Sequence, residues 1–570
     1  MNKSKLFVLI IFTVIIGSIA INFGVFSKTK YENILVDDNE WNEIISNKVL
    51  RIIEIDNISF NDNILFKDNL NRYYYSLVEG EKRKYNPIIK YKASKVKLAI
   101  KDIITDDMVE QNEPLKLLFY TKDNYYIINV YITTLPLLSI EYKVNNISFK
   151  EIGDKIFNFR NISNISSIDK LNKIKNHRDY ISYDVVIADL KENQPMSIKL
   201  FDNRENIQNR VITSDGLFKY RGASTLYYPK KGYRINLRNG IENNDISFLG
   251  LRNDDDYILY AAYNDQEKIR NVFSSKLWYE GCSKDNNYNT DNGMEYKYIE
   301  LFINGEYNGL YALGYPIDEK SVLLDNNEYM FKKYGWDESE YAILEGNNDM
   351  AGYELISKSS AIAYDYLINY YKKLLGSNNS NYKDIYNYID INNSIDIFLF
   401  YNLVQGIDNA SDKTIKNTYI TIKGDGKVLY TPWDLDFTYG NVYTSENNVY
   451  TSNYYKNTTD NVMFKTSPAY KLIEAGDKDF IKMIYQKYIE LRNNAWSDIN
   501  IMKIIDKYEK DIYNSGAYIR DMERWPTGNY ENPSLKLSKF KSYVIERLEY
   551  LDEYMEKYNW LCFFFESDKI

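Results

Sequence analysis

Three polar residues between positions 395 and 440 have side chains and an order that suit phosphate chemistry. The apolar run IDIFLFYNLVQG (395–406) predicts a helix that ends in a glycine, a common helix stop. Asp408 follows two residues later, so its carboxylate is held by a rigid element and is free to face a cleft. Asn417 and Asp434 come next. Amide and carboxylate oxygens are ligands that Mg²⁺ accepts, and a carboxylate can also act as a general base.

The segment after this first carboxylate predicts a β-hairpin. Two alternating segments flank a short turn: NTYITIK (417–423), Gly-Asp-Gly (424–426) and KVLYTPWDLDF (427–437). Pairing Lys423 with Lys427 sets the register. Asn417 then lies opposite Trp433 and next to Asp434. Cross-strand neighbours are ~5 Å apart, so the amide and the carboxylate are expected to share one divalent cation.

Protein kinases use this order of groups: a catalytic Asp, a metal-binding Asn, a hairpin and a metal-binding Asp. In that scheme Asp408 orients or deprotonates an acceptor hydroxyl beside the metal. Each residue also has an ordinary structural explanation, since an Asp after a helix is usually a cap and Asn417 is a good turn former. It is the combination that favours phosphoryl transfer.

The N-terminus predicts a membrane-spanning helix. Lys3 and Lys5 precede an uncharged run over residues 6–27, and roughly 20 apolar residues cross the ~30 Å hydrocarbon core. The run is longer than a usual signal-peptide core and no clear cleavage site follows, so residues 1–28 are predicted to be an uncleaved anchor. The charges on either side of this run determine the orientation only weakly: a slight positive-inside bias puts the N-terminus in the cytoplasm and the body on the far side of the membrane.

The rest of the chain predicts three further parts. Residues 30–145 contain short β-branched and aromatic runs and predict a small all-β, sandwich-like domain. The Asn- and Ser-rich stretch 146–180 predicts a linker. Residues 181–560 begin with strands and continue with amphipathic helices, which predicts an α+β domain.

Composition excludes several kinds of chemistry. The net charge of −9 gives no basic footprint for nucleic acid. With Cys282 and Cys562 as the only cysteines and His177 as the only histidine, a disulfide framework, a cysteine zinc site and a multi-histidine metal site are all ruled out. Catalysis must therefore use carboxylate, Lys, Arg, Asn or Tyr side chains. The 57 tyrosines reflect either codon usage or a role in surface cross-linking.

Four segments resemble the CotH kinase-like family of spore-coat proteins, in the family's order and across about 180–550. They are YRGASTLYYPKKGYRINL (220–237), NDQEKIRNVFSSKLW (264–278), YIELFINGEYNGLYALGYPID (298–318) and IDNASDKTIKNTYI with TPWDLDFTYG (407–440). The resemblance implies an atypical protein-kinase fold. It also implies transfer of the γ-phosphoryl group of ATP, with Mg²⁺ or Mn²⁺, to Ser or Thr of spore-coat or surface proteins.

The resemblance also implies residue roles. Asp408 matches the catalytic Asp, Asn417 and Asp434 match the metal ligands, and Asp436 is the second acid of the signature. Arg221, Gly222 and Ser224 match the nucleotide-binding turn. Lys230 or Lys231 matches the phosphate-pairing lysine. A glycine turn lets backbone N–H groups approach phosphate, and a lysine on the next strand supplies a point charge. Because side chains alternate between the two faces of a strand, either lysine could be the one that faces the phosphate, and Lys230 is preferred.

Two departures from the kinase pattern leave alternatives open. Asp408 and Asn417 are nine residues apart, against about five in kinase catalytic loops, so Asp412 is a second candidate base. Members of the family have an acidic residue after the GLY-x-L stretch, where this chain has Gly314 and Tyr315, so a kinase-type Lys–Glu ion pair would need Glu306 or Glu345. The alternative function is a catalytically inactive, membrane-tethered coat or surface scaffold on the same fold; a carbohydrate-binding role for the β domain has weaker support.

Overall fold

The chain forms two compact units, Met1–Thr134 and Leu135–Ile570. The computed structural model describes residues 29–31, 34–81, 87–142, 192–222, 224–377, 381–411, 413–444, 449–452, 466–526 and 528–566. Within these ranges the chain is mixed α+β. The predicted linker, 146–180, lies outside them. Residues Leu137–Tyr142, at the end of the predicted β domain, pair with strands of the second unit.

The predicted membrane-spanning helix requires a correction. Its residues, 1–28, lie outside the described residues. In the part of the chain that the structure does describe, no helix combines the length and the apolar character needed to cross a bilayer. The transmembrane helix in the predicted fold and the predicted membrane-anchored localisation are both contradicted by this finding.

The first unit is built on two β-sheets. Its elements are β1 (Thr29–Tyr31), β2 (Ile34–Leu35), α1 (Asp38–Ser46), β3 (Val49–Leu50), β4 (Asp56–Phe60), β5 (Asn63–Ile64), β6 (Phe66–Lys67), β7 (Tyr73–Ser76), β8 (Ile89–Lys92), β9 (Lys97–Ile100), α2 (Asp106–Glu110), β10 (Leu115–Tyr120) and β11 (Asn124–Thr133). The sheet orders are β1-β8-β4-β5 and β2-β9-β10-β11-β7-β6. Alternate residues of both sheets, such as Phe60 and Phe119, meet in one buried cluster.

The second unit begins with a sheet that closes on itself. Its elements are β12 (Leu137–Tyr142), β13 (Gln194–Phe201), β14 (Val211–Arg221), β15 (Gly232–Asn239), β16 (Glu242–Asn243), β17 (Asp256–Tyr260), α3 (Arg270–Gly281), β18 (Tyr296–Ile303) and β19 (Glu306–Gly314). The long strand β14 pairs with both β13 and β15. The strands therefore form a ring in the order β14-β13-β12-β18-β19-β17-β15, with β16 beside β15.

A smaller sheet and a set of helices complete this unit. The elements are β20 (Tyr329–Lys333), α4 (Ser339–Ala342), β21 (Tyr353–Leu355), α5 (Ala363–Leu375), α6 (Ile391–Val404), β22 (Thr418–Ile422), β23 (Val428–Pro432), β24 (Asn441–Thr444), β25 (Val449–Ser452), α7 (Pro468–Glu474), α8 (Lys478–Asn493), α9 (Asp498–Ile512), α10 (Ala517–Arg524) and α11 (Ser538–Glu566). The sheet order is β21-β20-β22-β23, and α6 packs on β23. One continuous apolar core joins these elements to the ring.

Helix α6 is the rigid element that precedes the candidate site. Asp390 caps its start by accepting a hydrogen bond from the Asn393 N–H at 3.0 Å. Its apolar residues are buried, so packing rather than amphipathicity holds it in place. The predicted helix is confirmed, but the left-handed residue that ends it is Gln405, with φ of 50°, and not Gly406.

Asp396 is an unusual side chain of this helix. It is fully buried, and neither carboxylate oxygen has a hydrogen-bond partner among the described residues. Its ion pair with Lys487 measures 3.9 Å, and Lys487 lies closer to Asp285, at 2.6 Å. Burial therefore raises the pKa of Asp396 well above its ordinary value.

We expect the Asp396→Asn variant to gain stability relative to the wild type as pH rises above about 4. Because the pKa is raised in the folded state, the unfolded wild-type chain releases this proton at a lower pH than the folded chain does. The wild type therefore loses stability as the pH rises above the pKa of the unfolded state. Urea denaturation at pH 5, 6, 7 and 8 measures the difference. The exposed Asp384→Asn is the matched control, and identical pH profiles for the wild type and Asp396→Asn would contradict the expectation.

Candidate functional site

The hairpin that carries the candidate ligands has the predicted register. The Lys423 N–H donates to the Lys427 carbonyl at 2.8 Å. Strands β22 and β23 then pair residue by residue as far as Thr418 and Pro432. Beyond them the Trp433 N–H donates to the Asn417 carbonyl at 3.0 Å. Asn417 and Trp433 are therefore opposite each other, and the predicted pairing is confirmed.

Asn417 and Asp434 lie at the open end of this hairpin in left-handed conformations. Their φ angles are 51° and 57°, which non-glycine residues adopt rarely and mostly as Asn or Asp. Left-handed residues outside glycine often occur at functional sites, because the surrounding structure must hold them there.

Asp408 contacts Asn417 directly. The Asn417 side-chain Nδ2 donates to Asp408 Oδ2 at 3.0 Å and to the Asp408 carbonyl at 3.2 Å. Since the amide nitrogen faces Asp408, the amide oxygen Oδ1 of Asn417 is the atom that a cation can use. Asp408 and Asn417 thus lie side by side, as kinase chemistry requires of a base and a metal ligand.

The second acidic residue, Asp436, is buried next to Asp434. Its Oδ2 accepts a hydrogen bond from Asn264 Nδ2 at 2.6 Å. Burial, and then the negative charge of Asp434, raise the pKa of Asp436 well above its ordinary value. A cation between the two carboxylates would offset both effects.

Two buried asparagines position these loops. Asn271, on α3, accepts a hydrogen bond from the Leu435 N–H at 2.9 Å, between the two acidic residues. Asn409 donates from Nδ2 to the Trp433 carbonyl at 2.7 Å and to the Asn417 carbonyl at 3.3 Å. Asn409 therefore ties both ends of the hairpin together. The sequence gives no local signal for Asn409, and Asn271 is distinguished only by its place in the 264–278 segment.

One cleft brings most of the predicted site residues together. Its volume is about 1110 Å³. The predicted residues that line it are Arg221, Gly222, Lys230, Asp408, Asn417, Asp434 and Asp436. Its walls come from β14, β15 and β17 in the ring and from β20, β21 and β22 in the smaller sheet. The glycine-containing turn and the acidic loop thus open onto the same space.

The two predicted lysines are both occupied by contacts within the protein. Lys230 is fully buried, pairs with Asp521 at 2.8 Å and donates to the Leu310 carbonyl at 2.5 Å. Lys231 is also buried and donates to the Leu226 carbonyl at 3.0 Å, and it does not line the cleft. Ser224 begins a short 3₁₀ helix, Ser224–Tyr227, after the glycine turn.

The acid that pairs with Lys230 is Asp521 on α10, and this corrects the expected Lys–Glu pair. Glu306 lies 3.7 Å from Arg524 instead, and Glu345 is exposed. Asp521 also accepts a hydrogen bond from the Leu310 N–H at 3.0 Å, so it fixes both the lysine and strand β19.

Lys416 is a further charged residue of the site that the sequence did not single out. Its Nζ lies 2.7 Å from both carboxylate oxygens of Asp408. Burial raises the pKa of Asp408, and the charge of Lys416 opposes the rise. The other candidate base, Asp412, lies outside the described residues.

The donor set fits a hard divalent cation bound to an anionic ligand. Asn417, Asp434 and Asp436 offer oxygen atoms, which Mg²⁺ and Mn²⁺ prefer. The Tyr260 hydroxyl faces the same carboxylates, is buried, and has no hydrogen-bond partner among the described residues. A buried hydroxyl without a partner is unfavourable, so a phosphate oxygen or a metal-bound water supplied by a ligand would satisfy it.

Comparison with known proteins gives one match. Residues 218–555 match the sequence model of the family described as CotH kinase protein. The match covers more than half of the chain and contains the glycine turn, the hairpin and Asp521. No curated protein matches the chain.

Proposed function

Because the chain belongs to the CotH kinase family, we propose that it transfers the γ-phosphoryl group of ATP to Ser or Thr hydroxyls of spore-coat or surface proteins. The observation that supports this most directly is the meeting of Asp408, Asn417 and Asp434 in one cleft with the Gly222 turn. Phosphoryl transfer depends on positioning and on charge stabilisation, and this cleft offers groups for both.

The proposed metal ligands are Asn417, Asp434 and Asp436. A bound Mg²⁺ or Mn²⁺ would neutralise the negative charge of the phosphates. Asn417 would offer its amide oxygen while its Nδ2 keeps the hydrogen bond to Asp408. Asn264 and Asn271 would hold the acidic loop in place, since their hydrogen bonds go to Asp436 and to the Leu435 N–H.

The proposed phosphate-binding turn consists of Arg221, Gly222 and Ser224. Gly222 has φ of 110°, and a Cβ there would lie 1.9 Å from Thr225 Oγ1, so this position requires glycine. A turn without a side chain lets phosphate oxygens approach its backbone N–H groups. Lys230, held by Asp521, is the lysine proposed for the ion-paired position. Lys231 is the less favoured choice because it does not line the cleft.

Asp408 is the proposed catalytic base. It lies beside the metal ligand Asn417 and is only partly exposed, so its carboxylate can accept the proton of an incoming hydroxyl. Lys416 keeps a positive charge beside it and can also face the transferred phosphoryl group. Asp412 remains the alternative base.

One observation favours a second function, a catalytically inactive scaffold. Lys416 contacts both oxygens of Asp408, which is the arrangement of a stable ion pair and not of a free base. If that pair persists when nucleotide is bound, Asp408 cannot accept a proton, and the fold would serve binding alone.

The proposal is tested with the full-length protein, ATP labelled at the γ-phosphate, and Mg²⁺ or Mn²⁺. Binding is measured by titration calorimetry, and transfer by incorporation of label into a mixture of Ser- and Thr-containing peptides. We expect both binding and metal-dependent transfer. Binding without transfer favours the scaffold, and the absence of binding to either metal–ATP complex contradicts the kinase proposal.

A further inference from the structure

Three of the six basic side chains that line the cleft have an acidic partner. The pairs are Lys230–Asp521 at 2.8 Å, Arg234–Asp256 at 2.8 Å and Lys416–Asp408 at 2.7 Å. Lys219, Arg221 and Lys332 also line the cleft, but none of these three forms an ion pair with a described residue. These three cations have no acidic partner among the described residues that would compete with a bound anion.

Lys332 and Arg221 lie against the same aromatic ring. Lys332 Nζ is 6.0 Å from the centre of the Trp433 ring, and Arg221 Cζ is 5.3 Å from it. Trp433 is buried and directly precedes Asp434. Two like charges are therefore held beside one ring, next to a proposed metal ligand. The Asp434 carboxylate offsets part of the repulsion between them, and a further anion bound between the two cations would be attracted to both.

The Lys332 ammonium group forms no ion pair with a described residue that would help to hold the fold together. It lies in the middle of β20, opposite Tyr419 of β22 and Glu354 of β21. Glu354 is exposed and does not form an ion pair with it. Burial is the main cause that lowers the pKa of Lys332; the negative charges of Asp434 and Glu354 oppose this shift, and the positive charges of Arg221 and Arg234 add to it. By contrast, its neighbour Lys333 points the other way and is tied to Glu340 at 3.4 Å.

We propose that Lys332 is a phosphate-binding residue of this cleft and that it acts with Arg221 across the edge of Trp433 to hold the polyphosphate of the nucleotide. This inference rests on the proposed nucleotide-dependent function. It adds a cation from the smaller sheet to the glycine turn of the ring, so that the phosphates would be held from both walls. The Trp433 ring lies within cation–π distance of both cationic side chains.

Lys332→Met in the full-length protein tests the role of the charge. Methionine keeps an unbranched side chain against Tyr419 and Trp433 but removes the ammonium group. We expect the affinity for Mg²⁺–ATP to fall about tenfold, the effect of one charge-assisted hydrogen bond, while the affinity for AMP changes little. Lys332→Arg should keep most of the affinity. Lys503→Met, an exposed lysine on α9 outside the cleft, is the matched control.

Calorimetry with ATP and AMP separates the outcomes. An unchanged affinity of Lys332→Met for ATP overturns the inference but leaves the proposed function standing. An equal loss of affinity for ATP and AMP, or a lowered unfolding temperature without ligand, shows a structural role and also overturns it. If the wild type binds neither nucleotide, the proposed function fails and this inference fails with it.

Discussion

Replacing Asp434 by asparagine is expected to lower the rate of phosphoryl transfer at least about 10³-fold, with the fold intact. The asparagine keeps the size of the side chain but removes a negative charge from the proposed metal site. Loss of the cation would remove several kcal/mol of charge stabilisation from the transition state. The measurement is the initial rate of label transfer from ATP at saturating Mg²⁺.

Asp425→Asn is the matched control for this substitution. Asp425 is exposed in the turn at the other end of the same hairpin, where its Oδ1 accepts a hydrogen bond from the Tyr288 hydroxyl at 2.8 Å. Its loss should leave transfer close to the wild-type rate. Wild-type activity in Asp434→Asn, or an equal loss in Asp425→Asn, would contradict the assignment of Asp434 as a metal ligand.

Replacing Asp408 by asparagine is expected to lower kcat by about 10²–10⁴-fold, the usual contribution of a general base. ATP affinity should change much less, because Asp408 is not a proposed ligand of the metal or of the phosphates. Asparagine still accepts a hydrogen bond from Lys416 and cannot take a proton. Single-turnover transfer and ATP binding, measured on the same preparation, separate the two effects.

Asp412→Asn and Lys416→Met show which group acts as the base. If Asp412→Asn is inactive while Asp408→Asn transfers phosphate normally, the base is Asp412. If Lys416→Met transfers faster than the wild type, the Lys416–Asp408 ion pair restrains the base. Inactivity of Lys416→Met with normal ATP binding would show that the ammonium group also acts on the transferred phosphoryl group.

The register of the hairpin could be predicted because it depends on local signals. A Gly-Asp-Gly turn and alternating side chains leave one sensible pairing of Lys423 with Lys427, and the pairing fixes which residues face each other. The apolar helix before Asp408 was equally clear. Its end was displaced by one residue, because Gln405 adopts the left-handed conformation that glycine usually supplies.

The partners of the site residues could not be predicted because they come from distant parts of the chain. Asp521 reaches Lys230 only after the ring and the C-terminal helices have packed together. Tyr260 and Lys332 face the cleft because two different sheets meet there, and neither stands in a recognisable motif. A single sequence gives composition and periodicity, but no measure of such long-range contacts.

The Lys230–Asp521 ion pair makes the C-terminal helices part of the unit that contains the cleft. Removing one member of a buried ion pair leaves an isolated charge and costs about 3–5 kcal/mol, a large part of the stability of a typical domain. A shortened chain that stops after the acidic loop would leave the buried Lys230 ammonium without its ion-pair partner. The C-terminal helices are thus integral to the part of the second unit that lines the cleft, although they carry no signature residue of their own.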